Sequence, residues 1–405
     1  MPLPTPHERL LEVDQSIHVW YQTWGNPEGI PVLFVHGGPG ACVADYQNIN
    51  RHFFESERYY VVEVDQRGTG KSQPSVREDY THMKHYLTIS IAQMSLDFEK
   101  VRRHLCISEW LVFGGSWGST LGLDYCQRYS SVCLGLILRG IFLNTKPEHD
   151  AIYARKSFTS EGDGRRLQEF DTFFELAEKY VEEKKTKENA NLPLDPNDSQ
   201  RFIEIYEQMI LSGNRDAIWR FYVYENNLME DDPTALLDPL NVPDIKDEKY
   251  SEAMSIAFFE ARLFLKGTFE TPIDLLKDIQ NLLQVPTWVC QGTGDEVCPD
   301  KFARLLCQRL EDEHVTHIDR FVDSGHKASS DGMTIALKES VDEYWEKYGM
   351  TWIERQQQST GGKQAKNDVE EEEEEEDDFE DMFGGDLDQL REDAAMDGVG
   401  MPPDQ

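Results

Sequence analysis

The sequence is short of positive charge and of long apolar runs, and each shortage excludes a class of protein. Of its 405 residues, 40 are Lys or Arg and 76 are Asp or Glu, so the formal net charge at pH 7 is −36. Such a charge repels nucleic-acid phosphates, which argues against a nucleic-acid partner. The most apolar run, Val132–Leu138, ends at Arg139, far short of the roughly 20 apolar residues of a membrane helix. We therefore expect no nucleic acid and no membrane among its partners.

Paired cysteines are also missing. The seven cysteines form no Cys-x-x-Cys motif, and an odd number in a long chain is typical of reduced thiols in a cytosolic protein. The first residues lack the basic and apolar regions of a signal peptide. We expect a cytoplasmic location, no metal site and no cofactor.

The end of the chain has a composition of its own. Residues 363–405 contain 18 acidic and 3 basic side chains, and Glu370–Glu376 is an unbroken run of glutamates. Self-repulsion and few apolar residues predict that this tail, with its linker (together residues 356–405), is disordered. The tail is either a solubilising extension or a segment that binds a basic protein partner through apolar anchors such as Phe379 and Leu387. The sequence leaves both open.

Short apolar runs that alternate with helical stretches predict a mostly parallel sheet covered by helices on both faces. The predicted parallel strands are Pro31–Val35, Tyr59–Asp65, Trp110–Gly114, Leu134–Leu138 and Thr287–Gln291, and Thr316–Val322 is a further predicted strand. An earlier hairpin, Leu10–Val13 with His18–Thr23, adds antiparallel edge strands.

Between the predicted strands Leu134–Leu138 and Thr287–Gln291 lies a long stretch without a clear strand pattern. It is rich in helix formers and contains the periodic segments Leu167–Glu183, Gln200–Leu211 and Ser251–Leu265. We interpret it as a helical insertion in a single α/β core. The predicted division is core (1–145), helical cap (146–285), core (286–355) and acidic tail (356–405).

The most informative motif is Gly-Gly-Ser-Trp-Gly over residues 114–118, which fits Gly-x-Ser-x-Gly after a buried strand and before a helix. In this setting a sharp turn strains the backbone of Ser116, and the flanking glycines avoid a collision. The helix N-terminus next to Ser116 favours negative charge. We therefore predict that Ser116 is a nucleophile.

A serine nucleophile needs a base and a carboxylate that orients it. Asp295 follows the strand Thr287–Gln291, and His326 follows the strand Thr316–Val322. Loops at the carboxyl ends of parallel strands gather at one edge of a sheet. The order Ser, Asp, His thus predicts a catalytic triad of Ser116, Asp295 and His326.

Acyl transfer also requires amides aimed at the developing oxyanion. One should come from Trp117, which follows the nucleophile. The other should come from the loop His36-Gly-Gly-Pro-Gly40, where the glycines allow the backbone to approach a substrate. We select Gly38 as this donor.

These motifs together closely resemble the proline iminopeptidases (prolyl aminopeptidases) of the α/β-hydrolase superfamily. The segments that carry the resemblance are His36–Gly40, Asp65–Ser72, Gly114–Ser119, Leu138–Phe142 and Gly294–Pro299. The resemblance implies an α/β-hydrolase fold with a helical cap. It also implies a serine peptidase that releases an N-terminal proline from short peptides without a metal.

The resemblance also implies binding residues. The family holds the substrate amine with cap glutamates, which correspond here to Glu225 and Glu260, although the surrounding motifs depart from the family pattern. Arg139 and Phe142 match the family's Arg-Gly-Ile-Phe, whose members line the proline pocket. Cys298, three residues after Asp295, is the thiol expected nearest the triad, and its modification is expected to inhibit by bulk.

Two other functions stay open at this stage. One is an esterase or amidase of the same fold that acts on small uncharged substrates. The other is an interaction protein that uses the hydrolase body as a scaffold and the acidic tail as its binding segment. A scaffold has no need of a complete triad, which argues against the second.

Overall fold

The computed structural model describes residues 7–158, 164–184, 193–230 and 232–355. The predicted linker and acidic tail lie outside the described residues. Residues Met1–Met350 form one compact unit and Thr351–Gln405 form another, and of the latter residues 351–355 are described, as helix.

A single sheet of eight strands forms the centre of the larger unit. The strands are β1 (His7–Asp14), β2 (Ile17–Gly25), β3 (Ile30–Val35), β4 (Tyr59–Asp65), β5 (Trp110–Ser116), β6 (Cys133–Ile141), β7 (Thr287–Gly292) and β8 (His317–Val322). Their spatial order is β1-β2-β4-β3-β5-β6-β7-β8. The first two pairings, β1 with β2 and β2 with β4, are antiparallel, and the other five are parallel.

The central strands form where the sequence has uninterrupted apolar runs. Every residue of β3 and β7 is buried, as expected for strands covered on both faces. The predicted edge hairpin is present as β1 and β2. The α/β-hydrolase fold predicted from the sequence is confirmed, and the observed strands other than β4 and β8 extend beyond their predicted bounds.

Apart from the helical residues 351–355, the described part of the chain contains ten α-helices. They are α1 (Gln47–Phe53), α2 (Ile91–His104), α3 (Trp117–Arg128), α4 (Lys146–Tyr153), α5 (Gly164–Glu183), α6 (Ser199–Leu211), α7 (Arg215–Met229), α8 (Glu248–Phe264), α9 (Asp300–Asp312) and α10 (Asp331–Tyr344). Single turns of π-helix, Leu265–Glu270 and Trp345–Gly349, continue α8 and α10. None of the described helices has the length and apolar content needed to cross a bilayer.

Helices α4 to α8 lie between β6 and β7, and the described residues of this stretch contain no strand. Three of them, α5, α6 and α8, match the predicted periodic segments, whereas α4 and α7 were not predicted as helices of their own. Helices α7 and α8 pack against each other, and both contribute side chains to the cavity described below. The exact division of the chain at residues 145 and 285 stays a prediction.

Candidate active site

Ser116 lies at the junction of β5 and α3, in a turn that the flanking glycines make possible. Its backbone has φ 57° and ψ −128°, a strained conformation for a residue with a side chain. A Cβ on Gly114 would lie 2.2 Å from the carbonyl oxygen of Gly118, and a Cβ on Gly118 would lie 2.3 Å from that of Val35. Glycine is therefore required two positions before and two positions after the serine.

The structure brings the three predicted triad residues into one chain of hydrogen bonds. The Nε2 atom of His326 lies 3.1 Å from Oγ of Ser116, and its Nδ1 lies 2.8 Å from Oδ2 of Asp295. The three residues come from the ends of β5, β7 and β8. In this geometry the imidazole donates its Nδ1 proton to the carboxylate and can accept the Ser116 proton at Nε2.

Asp295 is held in place as an anion. Its Oδ1 accepts hydrogen bonds from the amides of Val297, at 3.0 Å, and Cys298, at 2.7 Å. Burial alone would raise the pKa of this carboxyl, but the contact with His326 and the Cys298 amide outweigh it and lower the pKa. Asp295 is consequently ionised at neutral pH and fixes the orientation of His326.

The loop after β3 adjoins the nucleophile. A Cβ on Gly37 would lie 3.4 Å from Cβ of Ser116, and Gly38 lines the cavity into which Ser116 opens. Trp117 is the first residue of α3, with its side chain fully buried. The two predicted oxyanion donors, Gly38 and Trp117, therefore flank Ser116 on neighbouring segments.

Gln66, in the loop after β4, connects these two segments. Its side-chain oxygen accepts a hydrogen bond from Nε1 of Trp117 at 3.1 Å, and its side-chain nitrogen donates to the carbonyl of His36 at 2.9 Å. Its backbone amide donates to Nε2 of His36 at 3.1 Å, while Nδ1 of His36 lies 2.9 Å from the carbonyl of Gly37. Burial lowers the pKa of His36 to about 4, so this ring is neutral and braces the loop.

A cavity of about 240 Å³ opens next to Ser116 and His326. Seven of the predicted site residues line it: Gly38, Ser116, Arg139, Phe142, Glu225, Glu260 and His326. The other two, Trp117 and Asp295, are buried behind this wall. The structure thus brings every predicted site residue to one place.

Arg139 and Gly140 of β6 contact the loop that carries His326 (the histidine loop). The Nη1 atom of Arg139 donates to the carbonyl of His326 at 2.8 Å and lies 3.4 Å from its Nε2. Gly140 has φ +57°, and a Cβ there would lie 3.3 Å from Cε1 of His326. Arg139 therefore contacts the histidine loop as well as the cavity.

Glu225 on α7 and Glu260 on α8 are both about 95% buried, and both line the cavity. The Tyr153 hydroxyl at the end of α4 donates a hydrogen bond to Oε1 of Glu225. Oε2 of Glu260 is buried without a hydrogen-bond partner. Among the described residues, neither carboxylate forms an ion pair with Lys, Arg or His.

Burial makes it unfavourable for both carboxyl groups of this pair to be ionised at the same time. Burial raises the pKa of Glu225 to about 7, against the opposing hydrogen bond from Tyr153. Burial and the neighbouring Glu225 charge raise the pKa of Glu260 well above its usual range. The pair consequently retains a proton near neutral pH.

One end of the cavity is aromatic. The rings of Phe142 and Phe264 have centroids 5.5 Å apart, and the His149 ring lies 4.7 Å from that of Phe264. Burial lowers the pKa of His149 to about 3, so this imidazole is neutral. The end wall is therefore uncharged and suited to an apolar ring.

Sequence reasoning did not identify three supporting residues. Tyr153 contacts Glu225 and carries no local signal. Gln66 belongs to the segment Asp65–Ser72, which carries the family resemblance, but its contacts with His36 and Trp117 are long-range. Glu148, which accepts hydrogen bonds from the amides of Leu143 and Thr145 at 2.7 and 2.8 Å, was recognisable from the capping pattern Thr-x-x-Glu.

Among the described residues, one group of side chains has the composition and spacing of a metal site. The ligand atoms of Asp295, Cys298 and His326 lie within 4.8 Å of one another. Asp295 and His326 already form a hydrogen bond with each other. Burial and the Asp295 charge raise the pKa of the Cys298 thiol well above its usual range. We assign no metal to this group.

Comparisons with known proteins agree with this architecture. The family model for the alpha/beta hydrolase fold matches residues 30–332. The chain is 31% identical over 350 residues to a protein of Leptolyngbya boryana described as a "Probable proline iminopeptidase", covering 85% of this chain and 96% of that protein. It is 32% identical over 330 residues to the proline iminopeptidase of Arabidopsis thaliana, covering 81% and 77%.

The solved structure of an esterase from Exiguobacterium antarcticum matches with a TM-score of 0.51 and 15% identity, over 84% of this chain and 99% of the esterase. This likeness concerns the fold alone. The relatives and the family model place the chain among the α/β-hydrolases, and it belongs to the proline iminopeptidase family.

Proposed function

We propose that this protein is a serine aminopeptidase that releases an N-terminal proline from short peptides. The observation that carries the proposal is the pair Glu225 and Glu260, buried in the same cavity as Ser116 without an ion pair to any described Lys, Arg or His. A buried carboxylate without a partner is costly. A substrate that brings an ammonium group supplies the missing partner.

The aromatic end of the cavity supports proline as the first residue. Phe142 and Phe264 offer ring faces against which a pyrrolidine ring can pack. The enclosed volume of about 240 Å³ suits one small residue and the start of the next. The glutamate pair then determines that the chain enters with its N-terminus first.

The first half of the reaction forms a prolyl-enzyme. His326 accepts the proton of Ser116 at Nε2 while Oγ attacks the carbonyl carbon of proline, and Asp295 stabilises the imidazolium. The amides of Gly38 and Trp117 donate hydrogen bonds to the oxyanion. His326 then gives its proton to the leaving nitrogen, the peptide bond breaks and an ester to Ser116 remains.

The second half releases proline. A water molecule loses a proton to Nε2 of His326 and attacks the ester carbonyl, through a second tetrahedral intermediate held by the same amides. The C–O bond to Ser116 breaks, and the serine oxygen takes the proton back from His326. Every proton passes through one imidazole, and no metal takes part in this scheme.

The test compares Pro-, Ala- and N-acetyl-Pro-arylamides with the wild-type protein and Ser116→Ala. We expect the Pro compound to have the highest kcat/KM, and acetylation to abolish cleavage because it removes the positive charge. Ser116→Ala should lose nearly all turnover. Equal cleavage of the acetylated compound would instead favour the esterase or amidase alternative.

Matched variants distinguish the effect of losing Glu225 or Glu260, which form the proposed amine site, from the effect of removing any negative charge. Glu225→Gln and Glu260→Gln should each lower kcat/KM for the Pro compound by about 100-fold, the loss expected when a buried charge pair is broken. Asp216→Asn on α7 and Glu248→Gln on α8 make the same change in charge at exposed positions and should leave kcat/KM unchanged. Similar losses in all four variants would contradict the assignment.

A further inference from the structure

A second acidic position lies in the substrate cavity, apart from the glutamate pair. Four residues of α8 line the cavity: Glu252, Ile256, Glu260 and Phe264. Their spacing of four residues puts them on one face of the helix, with about 6 Å between successive members. Glu252 therefore lies about 12 Å along the helix from Glu260, too far to hold the same ammonium group.

The loop that carries Gly38 crosses this face between the two glutamates. The Ser255 hydroxyl donates to the carbonyl of Gly40 at 2.7 Å, and a Cβ on Gly40 would lie 2.7 Å from Cα of Ile256. Glu260 is thus one turn of α8 to one side of this loop, and Glu252 is one turn to the other side. Along α8 the order is therefore the aromatic wall at Phe264, the amine site at Glu260, the loop that carries Gly38 (the oxyanion loop) and Glu252.

Under the proposed function, a bound peptide has its groups in the same order. Its proline ring and amine occupy the side of Glu260, its scissile carbonyl lies at the oxyanion loop, and the following residue continues toward Glu252. Consecutive Cα atoms are 3.8 Å apart, and a Lys or Arg side chain adds a long flexible stem. A cation on the second residue of the peptide can therefore reach Glu252.

The charges around Glu252 leave it available for such a cation. The neighbouring Asp45, which also lines the cavity, is paired with Arg77 at 2.7 Å. Within the described ranges no Lys, Arg or His nitrogen pairs with Glu252 in the same way, and its partner is the Tyr222 hydroxyl. Burial and the Asp45 charge raise the pKa of Glu252 although the nearby Arg77 and Lys249 charges oppose them, and a substrate cation would lower this pKa further.

We propose that Glu252 recognises a positively charged side chain on the residue that follows the N-terminal proline, so that Pro-Arg and Pro-Lys peptides are the favoured substrates. This inference rests on the proposed function, since it uses the direction in which the peptide is bound. It assigns Glu252 to specificity and gives it no part in bond cleavage.

The experiment measures kcat/KM for three dipeptide amides: Pro-Arg-NH2, Pro-citrulline-NH2 and Pro-Glu-NH2. Citrulline has nearly the shape of arginine without its charge, and the amide removes the C-terminal charge. We expect the wild-type protein to favour Arg over citrulline about tenfold, and citrulline over Glu, as for a partly buried charge pair. Glu252→Gln should bring the ratio of Arg to citrulline close to one.

Two further variants make the result specific. Glu248→Gln, one turn earlier on α8 and exposed, removes the same charge outside the cavity and should retain the tenfold ratio. Glu252→Lys should invert the order, so that Pro-Glu-NH2 becomes the better substrate. A wild-type ratio near one, or a ratio that survives in Glu252→Gln, would overturn the inference. Failure to cleave even Pro-citrulline-NH2 would instead overturn the proposed function beneath it.

Discussion

The buried glutamate pair predicts that the protein releases a proton when it binds an N-terminal proline. Near pH 7 the pair holds a proton because burial raises the pKa of Glu225 to about 7 and that of Glu260 further. A bound ammonium group favours the ionised pair, so binding must displace this proton. Affinity should therefore rise as the pH rises through the pKa of the pair and fall again once the amine itself loses its proton.

The size of the effect follows from that value. With a pKa of about 7, roughly a tenth of the molecules have Glu225 ionised at pH 6 and roughly nine tenths at pH 8. The Kd for a prolyl cation should consequently be about ninefold higher at pH 6 than at pH 8. The number of protons released should fall over the same interval from about 0.9 to about 0.1 from this group alone.

The assay is calorimetric titration of Ser116→Ala with L-prolinamide, which this variant should bind without turnover. Titrations in buffers of different ionisation enthalpy measure the protons released at pH 6, 7 and 8. Glu225→Gln in the same background should show a flatter pH dependence, whereas Asp216→Asn should behave like the parent. A Kd that is constant from pH 6 to 8, with no proton released, would refute the reasoning about the pair.

Three other changes have definite expected outcomes. Glu260→Gln should raise Tm at pH 8 by about 2–4 °C and by less near pH 4.5. A carboxyl whose folded pKa is raised costs no stability below its unfolded pKa of about 4.5, and the cost grows as the pH rises from there toward the folded pKa. Equal Tm shifts at the two pH values, measured by calorimetry, would contradict this. Gly118→Ala should abolish turnover, because the new Cβ would lie 2.3 Å from the carbonyl oxygen of Val35; an active, folded variant would show that the turn tolerates a side chain. Thiol reagents should label the exposed Cys106 first, without loss of activity. They should then inhibit slowly through Cys298, because burial raises the pKa of its thiol. Cys298→Ser should stay active, and a variant as sensitive to thiol reagents as the wild-type protein would show that the inhibition arises at another residue.

The parts of the molecule that could be predicted from the sequence are those whose signal is local. A buried strand is a continuous apolar run, and the turn at Ser116 needs glycine at two fixed offsets. The loops with Asp295 and His326 follow predicted strands, so their place at one edge of the sheet could be predicted from strand order. Helix α7 was not predicted as a helix of its own, although its burial resembles that of α8, which was predicted.

The amine site belongs to the part that local patterns cannot predict. In a chain with 76 acidic residues, a glutamate on a helix is ordinarily a solvated side chain, and Glu225 and Glu260 were selected through the family resemblance alone. What distinguishes them physically is burial without an ion pair to any Lys, Arg or His in the part of the chain that the structure describes, and this depends on how α4, α7 and α8 pack. The contact with Tyr153 and the position of Glu252 one turn beyond the oxyanion loop depend on the same packing. The residues of acyl transfer can therefore be predicted from short motifs, whereas the choice of substrate is determined by helix packing in the cap.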